Sequence, residues 1–315
     1  MDRNEIAAVL ASAGMKPRHQ FGQNFMVDQN ILRAIAAAGD IGPNDVVLEV
    51  GPGVGNLTRL LSEATPNGAV LAVDIDRHLL PAAQRHHQSL KNITWLLADV
   101  LAGKHAIEPA VLAALAELKK LHPAGELKLI SNLPYNAASP LIAELLVAMW
   151  RALKHETENS KLGTLFFSRL TFTVQWEVAQ RMAAAPNTRD YGPLGVLIQS
   201  MADVEILRKI PPGAFWPPPK IHSALVVVTP RRDRIQSITD APAFQQLLAG
   251  IFGHRRQTLA NALKHYLAET WTPDFKRQIA ASGFDLSLRP EIFPVAELLR
   301  LAQIPGIACR DPTPP

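Results

Sequence analysis

The chain has 315 residues, of which 48% are hydrophobic, and a formal net charge of +4. This length and composition are sufficient for a large buried core and exclude a disordered chain. The single cysteine, Cys309, excludes an internal disulfide framework, and residues 1–20 lack the apolar core of a signal peptide. Because no apolar run reaches the ~20 residues that span a bilayer, we expect a cytoplasmic protein without a membrane partner.

From the amino terminus onward, apolar runs typical of buried strands alternate with segments of helical periodicity. Strands are predicted at 45–50, 69–73, 93–97, 127–130, 204–210 and 224–229, with another before Gln175. Helices are predicted at 4–13, 29–38, 79–90, 106–121 and 140–153. This alternation predicts an α/β fold with a largely parallel sheet. We expect the last two strands to complete one edge of the sheet as a hairpin-like pair.

A glycine-rich turn follows the first of the strands at 45–50. Residues 51–55 read Gly-Pro-Gly-Val-Gly and lead into a helical pattern that continues through Leu61. A strand, a glycine turn and a helix start form the ligand-binding corner of doubly wound domains, since a missing Cβ lets a ligand approach the backbone. The glycine spacing differs from the G-x-G-x-x-G dinucleotide fingerprint.

Polar residues stand at the ends of the next three strands. Asp74 follows the second strand, Asp99 the third and Asn132 the fourth. Because the carboxyl ends of parallel strands form the binding site of such sheets, we expect these residues to lie together, with Asp74 placed to hold a ribose. Each aspartate alone is also consistent with a solvated strand end or a helix N-cap.

The loop Asn132-Leu133-Pro134-Tyr135 is the strongest candidate for catalysis. The Asn132 side-chain carbonyl, and a backbone carbonyl directed by the fixed φ of Pro134, could accept the two hydrogens of an amine. A nucleobase amine is a poor nucleophile because its lone pair is delocalised into the ring, and acceptors placed out of the ring plane favour the pyramidal form that attacks. Tyr135 could stack on the base, worth ~1–3 kcal/mol. Alone, the tetrapeptide is equally consistent with a proline turn.

Positive charge is concentrated in residues 206–232, which contain no acidic residue. The basic residues are Arg208, Lys209, Lys220, Arg231 and Arg232. Phe215, Trp216 and a run of three prolines lie in the same segment. Basic groups interleaved with aromatic rings suit contacts with RNA. A solvated basic loop stiffened by proline is the alternative, and the nearby Asn132 loop favours RNA.

The chain becomes helical in pattern from about Asp233, with helices predicted at 244–252, 257–268, 273–282 and 295–302. We therefore predict three regions. Residues 1–23 form a basic N-terminal arm, residues 24–232 a catalytic domain, and residues 233–315 a smaller all-α domain that contributes to RNA binding.

Other chemistries find no support in the sequence. The ten histidines lack the spacing of metal ligands, and one cysteine cannot supply the ligands of a zinc deaminase. No G-x-S-x-G or P-loop motif supports acyl transfer or nucleotide hydrolysis. We therefore expect no metal.

Several motifs together carry a family resemblance. They are residues 21–28, the Asn132 loop with residues 139–141, and residues 175–181, 191–194, 215–224, 255–259 and 289–291. With these motifs the chain resembles the small-subunit ribosomal RNA adenine dimethyltransferases. This family uses S-adenosylmethionine on the Rossmann-like class I methyltransferase fold, so the resemblance implies that fold and that cofactor.

The resemblance implies roles for the residues that match the family. Those expected at the cofactor are Asn24, Met26, Gly51, Gly53, Asp74, Asp99, Val100 and Asn132. Those expected to form the catalytic pocket are Asn132, Leu133, Pro134 and Tyr135. Those expected at the RNA are Lys16, Arg18, Arg208, Lys209, Phe215, Trp216, Lys220, Arg231, Arg232, Arg255 and Arg256. Asp74 stands where the family usually has glutamate, which is one methylene longer.

The implied reaction transfers methyl groups from S-adenosylmethionine to N6 of two adjacent adenosines near the 3′ end of small-subunit (16S) ribosomal RNA. S-adenosylhomocysteine is the implied product, the small ribosomal subunit the implied partner in ribosome biogenesis, and we expect a monomer. Two alternatives stay open: a large-subunit rRNA adenine methyltransferase of the macrolide-resistance type, and a ribosome-assembly factor with little catalysis.

Overall fold

A computed structural model describes residues 1–15, 24–103, 106–154 and 165–307. These residues divide into two compact units. The first unit comprises Met1–Ala179 and Val204–Pro230, and the second comprises Gln180–Asp203 and the chain from Arg231 onward. Within the described ranges, no helix combines the length and the apolar character needed to cross a membrane.

Every strand in the described part of the chain lies in the first unit or at its border. The strands are β1 (Phe25–Met26), β2 (Val46–Val50), β3 (Ala69–Asp74), β4 (Ile93–Leu97), β5 (Leu127–Asn132), β6 (Phe167–Gln175), β7 (Ala202–Ile210), β8 (Phe215–Trp216) and β9 (Ser223–Pro230). The helices are α1 (Arg3–Ser12), α2 (Gln29–Ala38), α3 (Asn56–Ala64), α4 (Leu79–His86), α5 (Pro109–Leu121), α6 (Ala138–Lys154) and α7 (Trp176–Met182).

Seven of these strands form one sheet in the order β4-β3-β2-β5-β6-β9-β7. In this order, each strand from β4 to β6 is parallel to its neighbour, and β9 runs antiparallel to β6. All five residues of β2 are buried, as expected for a parallel strand covered on both faces. The predicted α/β class and the late strand pair at one edge of the sheet are therefore confirmed.

Two short strands were not predicted, because two residues are too few to show a periodicity. Met26 of β1 lies opposite Phe215 of β8, and Phe25 lies opposite Trp216. The Val27 amide extends this antiparallel pair by donating to the Ala214 carbonyl over 2.9 Å. The segment before α2 is thus held by residues from late in the first unit.

The amino-terminal residues do not behave as a separate arm. Asp2 caps α1 with its side chain and Glu5 completes a capping box. Ile6 and Leu10 are buried in a cluster with Phe25, Val54 and Leu79. Residues 1–15 therefore belong to the first unit, whereas the rest of the predicted arm, residues 16–23, lies outside the described residues.

The second unit is helical, as predicted for the carboxyl-terminal region. Its helices are α8 (Pro193–Met201), α9 (Arg232–Ser237), α10 (Ala241–Gly253), α11 (Leu259–Leu267), α12 (Pro273–Ala281) and α13 (Val295–Ala302). It also contains residues 180–203, which the predicted boundaries had placed in the catalytic domain. The reason is that α8 packs against α10 and α13, and the buried Tyr191 hydroxyl donates to the Phe293 carbonyl over 3.0 Å. A contiguous boundary cannot describe this division.

Candidate active site

The carboxyl ends of four adjacent strands bring together the polar positions that the sequence singled out. Asp99 follows β4, Asp74 ends β3, Gly51 follows β2 and Asn132 ends β5. The parallel registers place these ends side by side, with Val50 opposite Val73 and Asp74 opposite Leu97. We call this region the carboxyl end of the sheet.

The glycine turn lies at the centre of this end. Gly51 and Gly53 have φ of 71° and 60°, in the left-handed region that favours glycine. A Cβ atom at Gly51 would lie 3.0 Å from Pro134, and one at Gly53 would lie 3.1 Å from the Phe25 ring. The turn is therefore in close contact with both the Asn132 loop and β1.

Asp74 and Asp99 differ in burial. Asp74 is half-buried and accepts a hydrogen bond from the Asp76 amide over 2.9 Å; burial raises the pKa of its carboxyl. Asp99 is exposed and accepts from the Leu101 amide over 3.0 Å. Two large apolar residues beside them are unusually open to solvent, with Ile75 69% and Leu97 53% exposed. Carboxylates next to exposed apolar surface suit a ligand that has both hydroxyl groups and a planar ring.

Glu49 of β2 was missed by the sequence analysis. It is 2% exposed, and its Oε2 atom has no hydrogen-bond partner among the residues that the structure describes. Burial raises the pKa of the Glu49 carboxyl to about 8, and the Asp74 carboxylate acts in the same direction. The available signal was an acidic residue inside an otherwise apolar strand, two residues before the first glycine of the turn.

The Asn132 side chain is held by two partners. Its Oδ1 atom accepts from the Thr173 hydroxyl over 2.5 Å, and its Nδ2 atom donates to the Asn24 carbonyl over 3.3 Å. The Tyr135 hydroxyl lies 2.7 Å from the Ser223 hydroxyl, and burial raises the pKa of Tyr135. The loop thus has a fixed conformation, and Thr173 and Ser223 are further residues that the sequence analysis missed.

Three of the residues predicted at the cofactor or the catalytic pocket have buried side chains. Met26, Val100 and Leu133 are 3%, 4% and 2% exposed. The Met26 side chain lies in a core cluster with Ile31, Leu57 and Phe215, and the Met26 carbonyl accepts from the Asn56 side chain over 2.9 Å. These side chains anchor the loops that carry them.

The predicted RNA-binding residues of the first unit divide into exposed and buried ones. Arg208, Lys209 and Lys220 are exposed, and the Lys209 amine lies 4.9 Å from the centre of the Trp176 ring. Trp216 is half-buried. Phe215 is only 1% exposed, because β8 places its ring in the same core cluster as Met26. The prediction that Phe215 contacts RNA is therefore wrong.

In the second unit, the predicted RNA-binding arginines differ in their partners. Arg232 and Arg256 are exposed, and Arg231 pairs with Asp203 over 3.5 Å. Arg255 pairs with Glu291 over 3.0 Å and donates to the Arg189 carbonyl, so it stabilises the unit itself. Lys16 and Arg18 lie outside the described residues. Across the described ranges, no cluster of histidine, cysteine, aspartate or glutamate could hold a metal ion.

Solved structures share the overall fold. A dimethyladenosine transferase from Plasmodium falciparum superposes with a TM-score of 0.65 at 21% identity, covering 88% of this chain and 95% of its own. The 23S rRNA methyltransferase ErmE superposes with a TM-score of 0.57 at 22% identity, covering 88% of this chain and 98% of its own. The fold is that of the S-adenosylmethionine-dependent methyltransferases.

Sequence comparison defines the family within that class. The model of the ribosomal RNA adenine dimethylases matches residues 14–282. The ribosomal RNA small subunit methyltransferase A of Phenylobacterium zucineum is 36% identical over 297 residues, which cover 94% of this chain and 91% of that protein. The chain belongs to the ribosomal RNA adenine dimethylase family, and the predicted resemblance is confirmed.

Proposed function

We propose that this protein transfers methyl groups from S-adenosylmethionine to N6 of two adjacent adenosines near the 3′ end of small-subunit ribosomal RNA. The observation that carries the proposal is the fixed Asn132 side chain at the carboxyl end of the sheet, in a loop that contacts the glycine turn. Family membership supports ribosomal RNA as the substrate, and the 36% identity to a small-subunit enzyme favours that subunit.

The residues at the carboxyl end fit the methyl donor. When bound, S-adenosylmethionine supplies a methyl group already activated by a positively charged sulfonium. The buried Glu49 carboxyl, whose Oε2 atom has no partner among the described residues, suits a cationic ligand, because a positive charge nearby favours its ionised form. The missing Cβ of Gly51 lets the glycine turn pack closely against Pro134 of the Asn132 loop. Asp74 would hold the ribose hydroxyls. Asp99 would accept from the adenine amine.

The Asn132 loop fits the acceptor. The Asn132 Oδ1 atom has a second lone pair, and with a backbone carbonyl next to Pro134 it would accept the two hydrogens of the target amine. Tyr135, held by Ser223, would stack on the adenine. Alignment of the amine with the methyl group can supply several kcal/mol of barrier lowering, up to roughly 7–11 kcal/mol in favourable cases. The proton released by the methylated amine can pass to water, so the mechanism requires no strong base.

The exposed basic residues support an RNA partner. Two of them, Arg208 and Lys209, lie near the end of β7, and Lys220 stands just before β9. The first residue of β9, Ser223, lies opposite Gln175 at the carboxyl end of β6. Phosphate contacts from this side would hold the RNA while its adenosine enters the Tyr135 pocket. We propose the small ribosomal subunit as the partner, a cytoplasmic location, and an activity without a metal.

A labelling experiment tests this function. The protein is incubated with S-adenosylmethionine carrying a labelled methyl group and with either small or large ribosomal subunits that lack the modification, and the labelled bases are mapped. We expect dimethyladenosine in small-subunit RNA only. Label in large-subunit RNA alone would instead establish the macrolide-resistance type of activity, and no label with either would favour the assembly factor.

Asn132→Ala is the matched inactive control for this experiment. It removes the acceptor that contacts the target amine, so the turnover should fall about 100-fold or more, as for loss of a preorganised polar contact. Calorimetry should show that binding of S-adenosylmethionine is largely retained. An unchanged turnover would remove Asn132 from the mechanism.

A further inference from the structure

The orientation of the Asn132 amide follows from its two partners. The Asn24 group is a backbone carbonyl, which can only accept, so it must face the Nδ2 atom of Asn132. The Oδ1 atom therefore faces Thr173, and the Thr173 hydroxyl must be the donor in the 2.5 Å contact. The geometry thus assigns a direction to both hydrogen bonds.

We propose that Thr173 is a positioning residue for methyl transfer. Its hydroxyl occupies one lone pair of the Asn132 Oδ1 atom and leaves the other free for the target amine. The rotation of an amide about its last side-chain torsion is otherwise broad. By fixing this rotation, Thr173 aims the acceptor. The inference rests on the proposed function and adds a residue to it.

The strand register explains why Thr173 can do this. Thr173 of β6 lies directly opposite Asn132 of β5, so their side chains leave the sheet on the same face. On its other side Thr173 lies opposite Leu225 of β9. The residue is fully buried between two strands, which holds the hydroxyl in place.

Thr171 provides a matched comparison on the same strand. Thr171 is also fully buried. It stands two residues before Thr173 on β6, so its side chain lies on the same face of the sheet. Its hydroxyl donates to the Ala38 carbonyl over 3.3 Å, away from the Asn132 loop. The same change at Thr171 therefore reproduces the loss of a buried hydroxyl without affecting Asn132.

The experiment compares Thr173→Val, Thr173→Ser and Thr171→Val. Thr173→Val should lower kcat about tenfold or more, within the 10–100-fold range for loss of an orienting hydrogen bond to a functional residue. KM for the subunits and Kd for S-adenosylmethionine should stay within about twofold. Thr173→Ser keeps the donor and should restore most of kcat, whereas Thr171→Val should match the wild-type kcat despite a comparable loss of thermal stability.

Two turnover results would overturn the inference. One is a Thr173→Val enzyme with wild-type kcat, and the other is a loss of kcat in Thr171→Val as large as that in Thr173→Val. A readout independent of turnover is the NMR signal of the Asn132 side-chain amide, assigned through its disappearance in Asn132→Ala. It should shift or broaden in Thr173→Val and stay unchanged in Thr171→Val. A wild-type protein that labels no RNA contradicts the proposed function, whereas an unchanged amide signal contradicts the inference.

Discussion

At the amino end of the sheet, the buried Lys128 amine lies 2.9 Å from the Asp45 carboxylate and 3.3 Å from Glu126. Asp45 also accepts from the Gly42 and Glu126 amides, over 2.7 Å and 2.8 Å. At the carboxyl end, by contrast, the buried Glu49 carboxyl keeps an oxygen atom without a partner among the described residues. The buried ionisable side chains thus have ion-pair and hydrogen-bond partners at the amino end of the sheet, whereas one carboxyl oxygen at the carboxyl end has none among the described residues.

The two ends of the sheet therefore differ in how a buried ionisable side chain is accommodated. A paired and hydrogen-bonded charge can be accommodated in the interior, although such a pair is itself weak support for stability. A buried carboxyl with an unsatisfied oxygen lowers the stability of the folded chain, because the ionised form has lost the water that would bind that oxygen. The buried charges at the amino end are therefore satisfied within the chain, whereas the carboxyl end leaves one carboxyl oxygen for the proposed cationic ligand.

The largest effect that tests this comparison is expected from Lys128→Met. Removing the amine leaves Asp45 buried without its ion-pair partner, which should lower the free energy of unfolding by about 3–5 kcal/mol. Urea denaturation measures this, with Lys91→Met as the control, since the exposed Lys91 should contribute less than about 0.5 kcal/mol. The methyl-transfer rate per folded molecule should not change. A loss of rate without a loss of stability would show that the amino end takes part in function.

A smaller effect is expected from pH at Glu49. The pKa is about 8 in the folded chain against 4.5 when unperturbed, so between these values only the folded state holds the proton. The contribution of Glu49 to stability is therefore fully present below pH 4.5 and is lost as the pH rises towards 8. Glu49→Gln cannot ionise and should abolish this part of the pH dependence in thermal unfolding.

The same titration sharpens the proposal for the methyl donor. If the ionised Glu49 carboxylate faces the positively charged sulfonium, the affinity for S-adenosylmethionine should rise about tenfold from pH 6 to pH 8, since binding releases the proton of the Glu49 carboxyl. Calorimetry in buffers of different ionisation enthalpy measures both the affinity and the released proton. Glu49→Gln should bind more weakly and without this pH dependence. Equal pH dependence in both proteins would place the cation elsewhere.

The smallest effect is expected from surface charge. Replacing Arg208 and Lys220 with glutamine should weaken RNA binding severalfold at low salt and reduce the slope of log affinity against log salt by about one to two. The matched control replaces two other exposed lysines, Lys91 just before β4 and Lys120 in the last turn of α5. If both double variants lose affinity equally, RNA binding depends on net charge and not on the carboxyl end.

The sequence predicted the central strands well because their signal is local. Each is a short apolar run between polar residues, and the predicted and observed ends of the strands agree within two residues. The helix α8 and the pairing of β1 with β8 were missed because both depend on contacts between residues far apart in the chain. Periodicity in a short window contains no information about such contacts.

The candidate site was predictable to a similar extent. Asp74, Asp99 and Asn132 stand at strand ends, where position alone indicates a site. Thr173 could not be predicted as a site residue, since its contact with Asn132 depends on the register between β5 and β6, which α6 separates in the sequence. Phe215 was wrongly predicted to contact RNA, because an aromatic residue beside basic residues in the sequence suggests a position on the surface. Only its pairing with Met26 shows that its ring is buried.

The pairing of β1 with β8 has a consequence for the synthesis of the protein. The strands that carry Asp74, Asp99 and Asn132 leave the ribosome well before Phe215 and Trp216, which hold β1 in place. A nascent chain can therefore build the centre of its sheet early, while Asn24, the partner of Asn132, still lacks its neighbouring support. The site becomes complete only when translation has passed β8, so a prematurely ended chain would contain the proposed catalytic loop without its full surroundings.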